Sequence, residues 1–291
     1  MNNKKDIIIL YFFIVIEFLI LINSKTVITS IVQSSKLFII NIFPSLFPTM
    51  VIGTFLVKNN IHLIIPKFIK KIFKKLFNFD DNITSLYIIS MLCGTPSSSM
   101  FINEYLENNL IDEKTAENLI YCTHFINPLF VIGTVGIGLF NSFKIGIIIL
   151  LMLYLSNFIK AFILKNNFTK TNNENNYIKN ENIISTLSNS IIKSINSLLL
   201  ILGIIIMFNI LITLISNIFN INNFTYVIIN GILEMTSGIV KLRNIHINYY
   251  LKIFLAYYFL TFGGICIQLQ TLSMLTKKKI RYFKYLIFRL F

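Results

Sequence analysis

Three stretches of this chain stay apolar for about the length of a helix that crosses a bilayer. They are DIIILYFFIVIEFLILIN (6–23), IGIIILLMLYLSNFIKAFIL (145–164) and SLLLILGIIIMFNILITLI (197–215). A helical span needs roughly 20 such residues, and in hydrocarbon the backbone must satisfy its own hydrogen bonds. The composition agrees: of 291 residues 55% are hydrophobic and 13% charged, against about 25% charged in soluble domains. These features imply an all-α polytopic membrane protein.

The formal net charge is +14. In a membrane protein Lys and Arg mark the cytoplasmic side, so the charge calls for no nucleic-acid partner. Cys93, Cys122 and Cys266 form no CxxC pair and give no disulfide framework. His62, His124 and His246 are scattered, without metal-ligand spacing. HExxH, GxxxxGK[ST] and GxSxG are absent. Enzymatic activity, a metal and a cofactor are therefore not expected.

Residues 1–25 read as the first span. Lys4 and Lys5 precede a long apolar stretch, and Asn23-Ser24-Lys25 makes a poor cleavage site, so a removed signal peptide is not expected. A first half, 26–165, opens on a segment (27–57) too long for one straight crossing and interrupted by FPSLFP (43–48). Pro44 and Pro48 each remove a backbone donor, giving either an ordinary kink or a break that lines a site. In 66–79, Lys67, Lys70, Lys71, Lys74 and Lys75 recur at helical spacing opposite Phe68, Ile69, Ile72, Phe73, Leu76 and Phe77. That is the pattern of a cytoplasmic helix lying on anionic lipid.

The helix NITSLYIISML (82–92) is then cut by CGTPSSS (93–99), and MFINEYLENN turns polar soon after. An onward crossing needs more apolar length. Residues 82–109 therefore read as a re-entrant hairpin, whose non-helical tip is tolerated only inside protein or against a cavity. Asp112 caps the helix 112–140, which is broken at HFINPLF, where Pro128 leaves the His124 carbonyl without its helical donor. Residues 143–165 return across the membrane.

Residues 166–195 comprise an Asn-rich polar linker (166–180) and an amphipathic lead-in (181–195). The second half, 196–276, repeats the plan: a span (196–218), a hairpin (225–243) with the tip EMTSG (234–238), and a helix (247–275) broken at FGGICIQLQ. A basic tail, 277–291, follows. An odd number of crossings separates the hairpins, so they enter from opposite faces. That is an inverted repeat with two re-entrant hairpins and broken helices, the plan of secondary transporters with midplane sites. Most basic clusters then fall inside with both termini, while Lys25, Lys144 and the Lys241, Arg243, Lys252 group form an outside minority.

The motifs FPSLFP, CGTPSSS, NLIDEKTAENL, NPLFVIGTVGIGLF, LEMTSG and FGGICIQLQTLSML, in this order over about 30–275, resemble the sporulation integral membrane protein family of the YlbJ/SpoVV type. That family belongs to the nucleoside-recognition Gate group, related to concentrative nucleoside transporters. The resemblance implies a carrier in endospore formation, moving dipicolinic acid (pyridine-2,6-dicarboxylate) across the outer forespore membrane as a multi-pass protein. It implies a substrate site at Gly94, Thr95, Pro96, Ser97 and Ser98 of the first hairpin, with Asn127 and Pro128 of the next helix. In the second half it implies Glu234, Thr236, Ser237 and Gly238, with Gly263, Gly264, Gln268 and Gln270. Two positions depart from the family pattern: its first hairpin reads more like GYPVGAK, so Thr95 replaces an aromatic residue and Met100 a Lys, and Gln268 stands where His is usual.

For a planar dicarboxylate, two half-helix N-termini would each offer free amides and roughly half a positive charge. Ser97, Ser98, Ser99, Thr236 and Ser237 would add hydroxyls, and Gln268 and Gln270 would bond a carboxylate or ring nitrogen. The small residues serve either the site or tight helix packing. For Gly133, Gly136 and Gly138 packing is expected. Glu234 either carries a coupling proton or caps the break. Glu17 is expected to face the bundle, His124 to be a packed neutral side chain or a site residue, and Lys160 to snorkel to the interface. A neutral nucleoside or nucleobase as solute, a non-transporting sporulation scaffold, and a homo-oligomer all remain open.

Overall fold

The computed structural model describes residues 4–168, 182–219, 221–275 and 280–290. These are helical throughout, without a strand. The first half comprises α1 (Lys4–Ile22), α2 (Ser24–Leu37), α3 (Phe43–Lys58), α4 (Lys67–Phe77), α5 (Asp81–Cys93), α6 (Ser97–Glu107), α7 (Glu113–Cys122) and α8 (Phe143–Leu164). Two π-helical segments, Phe38–Ile42 and Phe130–Leu139, precede α3 and α8. The second half comprises α9 (Ile183–Phe219), α10 (Asn223–Leu233), α11 (Met235–Leu242), α12 (Tyr249–Phe262), α13 (Gly264–Ser273) and α14 (Tyr282–Arg289). Among the described residues four stretches are long and apolar enough to cross a membrane: Ser24–Lys58, Phe143–Asn167, Ile183–Phe219 and Tyr249–Ser273.

Short polar side chains start most of the later helices. Asp80 accepts from the Ile83 amide at 2.8 Å, Asp112 from Thr115 at 2.9 Å, and Asn222 from Thr225 at 2.8 Å. Each such cap contributes about 1 kcal/mol. Asn60, Asn78, Asn109 and Asn141 adopt positive φ at helix junctions, using the one common side chain that tolerates the left-handed region and leaves glycine for other positions.

Two boundaries differ from the expected ones. The chain stays helical from Ser24 to Lys58; the π turn runs directly into α3, with Pro44 in its first turn and Pro48 inside it. FPSLFP is thus helical and not an unwound break. The amphipathic lead-in and the span after it form one helix, Ile183–Phe219. Thr186, Ser190, Ser194, Leu198, Ile201, Ile205 and Asn209 make one buried stripe across the expected boundary, at the spacing of a single helical face. The polar linker lies mostly outside the described residues. In α4, Ile69, Phe73 and Phe77 pack inward, while Phe68, Ile72 and Leu76 point outward beside exposed lysines.

Two core clusters organise the bundle. Phe125, at the break of the first broken helix, belongs to one cluster with α3, α5 and α6, and Ile126 belongs to the other with α8 and α10 to α12. In the second broken helix Leu255 and Phe259, before the break, and Ile267, after it, sit in the second cluster, while Cys266 and Met274 sit in the first. The tail is a docked element. In α14 Arg289 is buried and donates to the carbonyls of Ile120 (3.0 Å) and Tyr121 (2.9 Å), and Arg281 pairs with Glu117 at 3.1 Å.

Candidate functional site

Both chain breaks expected to form hairpin tips meet at one cavity. Thr95 and Pro96 line it from the α5–α6 junction, and Glu234, Met235 and Thr236 from the α10–α11 junction. Asn127 and Gln270 line it from the two broken helices, and Ser45, Leu46, Ile201 and Ile205 from α3 and α9. Its volume is about 30 Å³, room for a few water molecules at most.

The first tip is held from below by the break after α7. The Thr95 amide donates to Phe125 O at 2.6 Å and its hydroxyl to the same carbonyl at 3.1 Å. Gly94 has φ +77°, and a Cβ there would meet Asn127 N at 2.5 Å, so the backbone approach excludes any side chain. Asn127 ties the junction together. Its Nδ2 donates to Cys93 O (3.1 Å) and Thr49 Oγ1 (2.9 Å), while its Oδ1 accepts from the Leu129 amide (2.9 Å). With Asn127 as cap, Pro128 stands in the first turn of the following helix, where its missing N–H costs nothing. The α6 N-terminus has no side-chain cap. Behind it the hydroxyls of Ser97, Ser98 and Ser99 are buried and without a hydrogen-bond partner.

The second tip is chemically different. Glu234 is fully buried, and its two carboxylate oxygens accept from the amides of Thr236 (3.0 Å) and Ser237 (2.6 Å). The positive end of α11 is therefore occupied by the protein's own carboxylate.

The remaining expected site residues divide. Gln270 lines the cavity, with Nε2 3.2 Å from Cys266 Sγ. Gln268 does not reach it: Nε2 donates to Phe262 O (3.3 Å) and Oε1 accepts from Tyr282 of the tail (2.9 Å). Ser237 turns away to donate to Asn209 Oδ1 at 2.9 Å. Gly238 serves packing, since a Cβ there would lie 2.4 Å from Gly231 Cα. Gly263 and Gly264 form the second break with φ +77° and +61°; their faces press on His124 and on the Leu233–Met235 backbone. Of the three glycines expected to pack, Gly136 abuts Gly146, whereas Gly133 and Gly138 line a separate open cavity.

Two other expectations need correction. Lys160 does not snorkel: it is 3% exposed, on the same buried face of α8 as Asn157 and Ala161. Glu17 is exposed on α1 and does not face the bundle. His124, expected as either a packed neutral side chain or a site residue, links the halves. Its Nε2 lies 3.2 Å from Leu260 O, an atom that only accepts, and its Nδ1 lies 3.5 Å from Thr95 Oγ1. Its position just before a proline break was the only sequence signal.

No family model matches the chain, and no solved structure matches it. The sporulation integral membrane protein YlbJ of Bacillus subtilis (strain 168) is 21% identical over 290 aligned residues, covering 86% of this chain and 70% of that protein. On this alignment, the chain is similar to, and a distant relative of, that sporulation integral membrane protein.

Proposed function

We propose that the protein is a carrier of small polar solutes in endospore formation, with dipicolinic acid as its solute and the outer forespore membrane as its site. The observation that carries this reading is the meeting of the two breaks at one cavity. Each broken helix contributes to both core clusters, as expected of an inverted repeat in which the hairpins enter from opposite faces. Kinship with a sporulation membrane protein supplies the cellular setting.

In this reading the tips divide the work. Glu234 already satisfies the second tip's amides, so a solute carboxylate goes to the α6 end beside Thr95 and Pro96, where parting of the tips would bring in the partnerless hydroxyls of Ser97, Ser98 and Ser99, which do not line the closed cavity. Thr236 and Gln270 face the solute from the other side. Because the cavity holds only about 30 Å³, the solute enters when the tips part. The outward apolar stripe and lysines of α4 rest on anionic lipid.

One observation favours a second reading. The cavity is lined by one carboxylate and no cation, which suits a neutral nucleoside. Proteoliposomes loaded in parallel with labelled dipicolinate and labelled uridine decide between them. Dipicolinate uptake that falls in Ser97→Ala supports the first reading. Uridine uptake alone supports the second, and uptake of neither rejects the carrier.

A further inference from the structure

Two open cavities of about 570 and 370 Å³ adjoin the hairpin tips and share Ile40, Asn41 and Val240 as walls. Ser45 lines both the larger one and the tip cavity, and Ser237, beside Thr236, lines the smaller. Their charged lining residues are Arg243 in the first and Lys36 and Lys241 in the second, with no carboxylate in either. Lys241 is held in place by neutral groups. Its Nζ donates to Asn230 Oδ1 (2.7 Å) and Tyr226 Oη (2.9 Å) and lies 4.3 Å from the Tyr226 ring centre. The same side of the smaller cavity offers Gln33, Asn209 and Thr213. A positioned ammonium with neutral partners, with Lys36 lining the same cavity and Arg243 the adjoining one, focuses a positive field. On the topology expected from the sequence, Lys241 and Arg243 belong to the basic group that runs against the positive-inside pattern.

We infer that these adjoining cavities are an anion-binding antechamber centred on Lys241, taking small solutes that carry two carboxylates or a phosphate. Its place on a transport path rests on the carrier reading; its binding chemistry does not.

The test uses the full chain in phosphatidylcholine nanodiscs, with thermal unfolding followed against sodium phthalate or inorganic phosphate at constant ionic strength. Binding to the folded state raises the midpoint with ligand concentration. Gln33→Glu sets a carboxylate in the cavity while leaving the contacts of Lys241 intact, and it should weaken phthalate binding about tenfold or more. Lys241→Met should do the same, and Lys144→Gln, outside both cavities, should bind like the parent. Unchanged binding in Gln33→Glu, or no anion effect on the parent, overturns the antechamber. So does loss of the phthalate effect when phosphatidylglycerol is added to the discs, because a lipid headgroup then owns the cavity. Absent dipicolinate uptake with intact phthalate binding counts against the carrier reading alone.

Discussion

Asn157 on α8 donates to the His124 carbonyl at 2.9 Å, satisfying from another helix a carbonyl of the non-helical segment between α7 and Pro128. The break is thus a satisfied structure. Asn157→Leu strips that carbonyl of its donor inside the protein, at a cost of about 1–3 kcal/mol. The expected outcome is a lower unfolding midpoint for the purified protein in detergent. Ile159→Leu, on the exposed face of the same helix, should leave the midpoint in place.

Glycines divide by what stands over them. A Cβ at Gly238 would sit 2.4 Å from Gly231 Cα, whereas one at Gly203 meets nothing within 4 Å. Gly238→Ala should push α10 and α11 apart and lower stability and folded yield. Gly203→Ala should raise stability by up to about 1 kcal/mol, as removal of a mid-helix glycine does. Size-exclusion profiles and unfolding midpoints of the two variants check the contrast.

Glu234 holds two amides of α11. Glu234→Ala leaves both without acceptors and forfeits a cap, about 1 kcal/mol for the cap alone. Glu234→Gln keeps an accepting oxygen and should unfold between the parent and the alanine variant. If all three midpoints coincide, the capping role is wrong.

The punctuation of the fold was readable: CGTPSSS, HFINPLF and FGGICIQLQ fall at the observed breaks, because Gly and Pro act locally on the backbone. Caps such as Asp112 were readable for the same reason. What was not readable depends on distant partners. Nothing local to Asn157 marks it as the donor for His124 O. Nothing in the tail marks Arg289 as the group that closes the carbonyl end of α7. Lys160 misled because a lone lysine in an apolar run fits an interface as well as a buried face. The continuity of α9 was available in the stripe from Thr186 to Asn209 but was masked by its polar first turns.

Docking of α14 shields the end of α7. Cys122 is fully buried, and Arg289 reaches the carbonyls just before it. Truncation before residue 280 should make Cys122 reactive toward a small maleimide while the full-length chain stays inert. Mass spectrometry of the labelled Cys122 peptide reads the difference. Equal protection in both chains would mean that α14 does not cover the site.

Cross-linking between the two tips tests the central claim most directly. In a background with Cys93, Cys122 and Cys266 replaced by Ser, Thr95→Cys and Thr236→Cys both face the shared cavity. A short bis-methanethiosulfonate reagent should join them within one chain in membranes, as an intramolecular peptide link seen by mass spectrometry. Failure to join, with both cysteines labelled freely by a bulky water-soluble reagent, would place the tips apart in water and contradict the shared site.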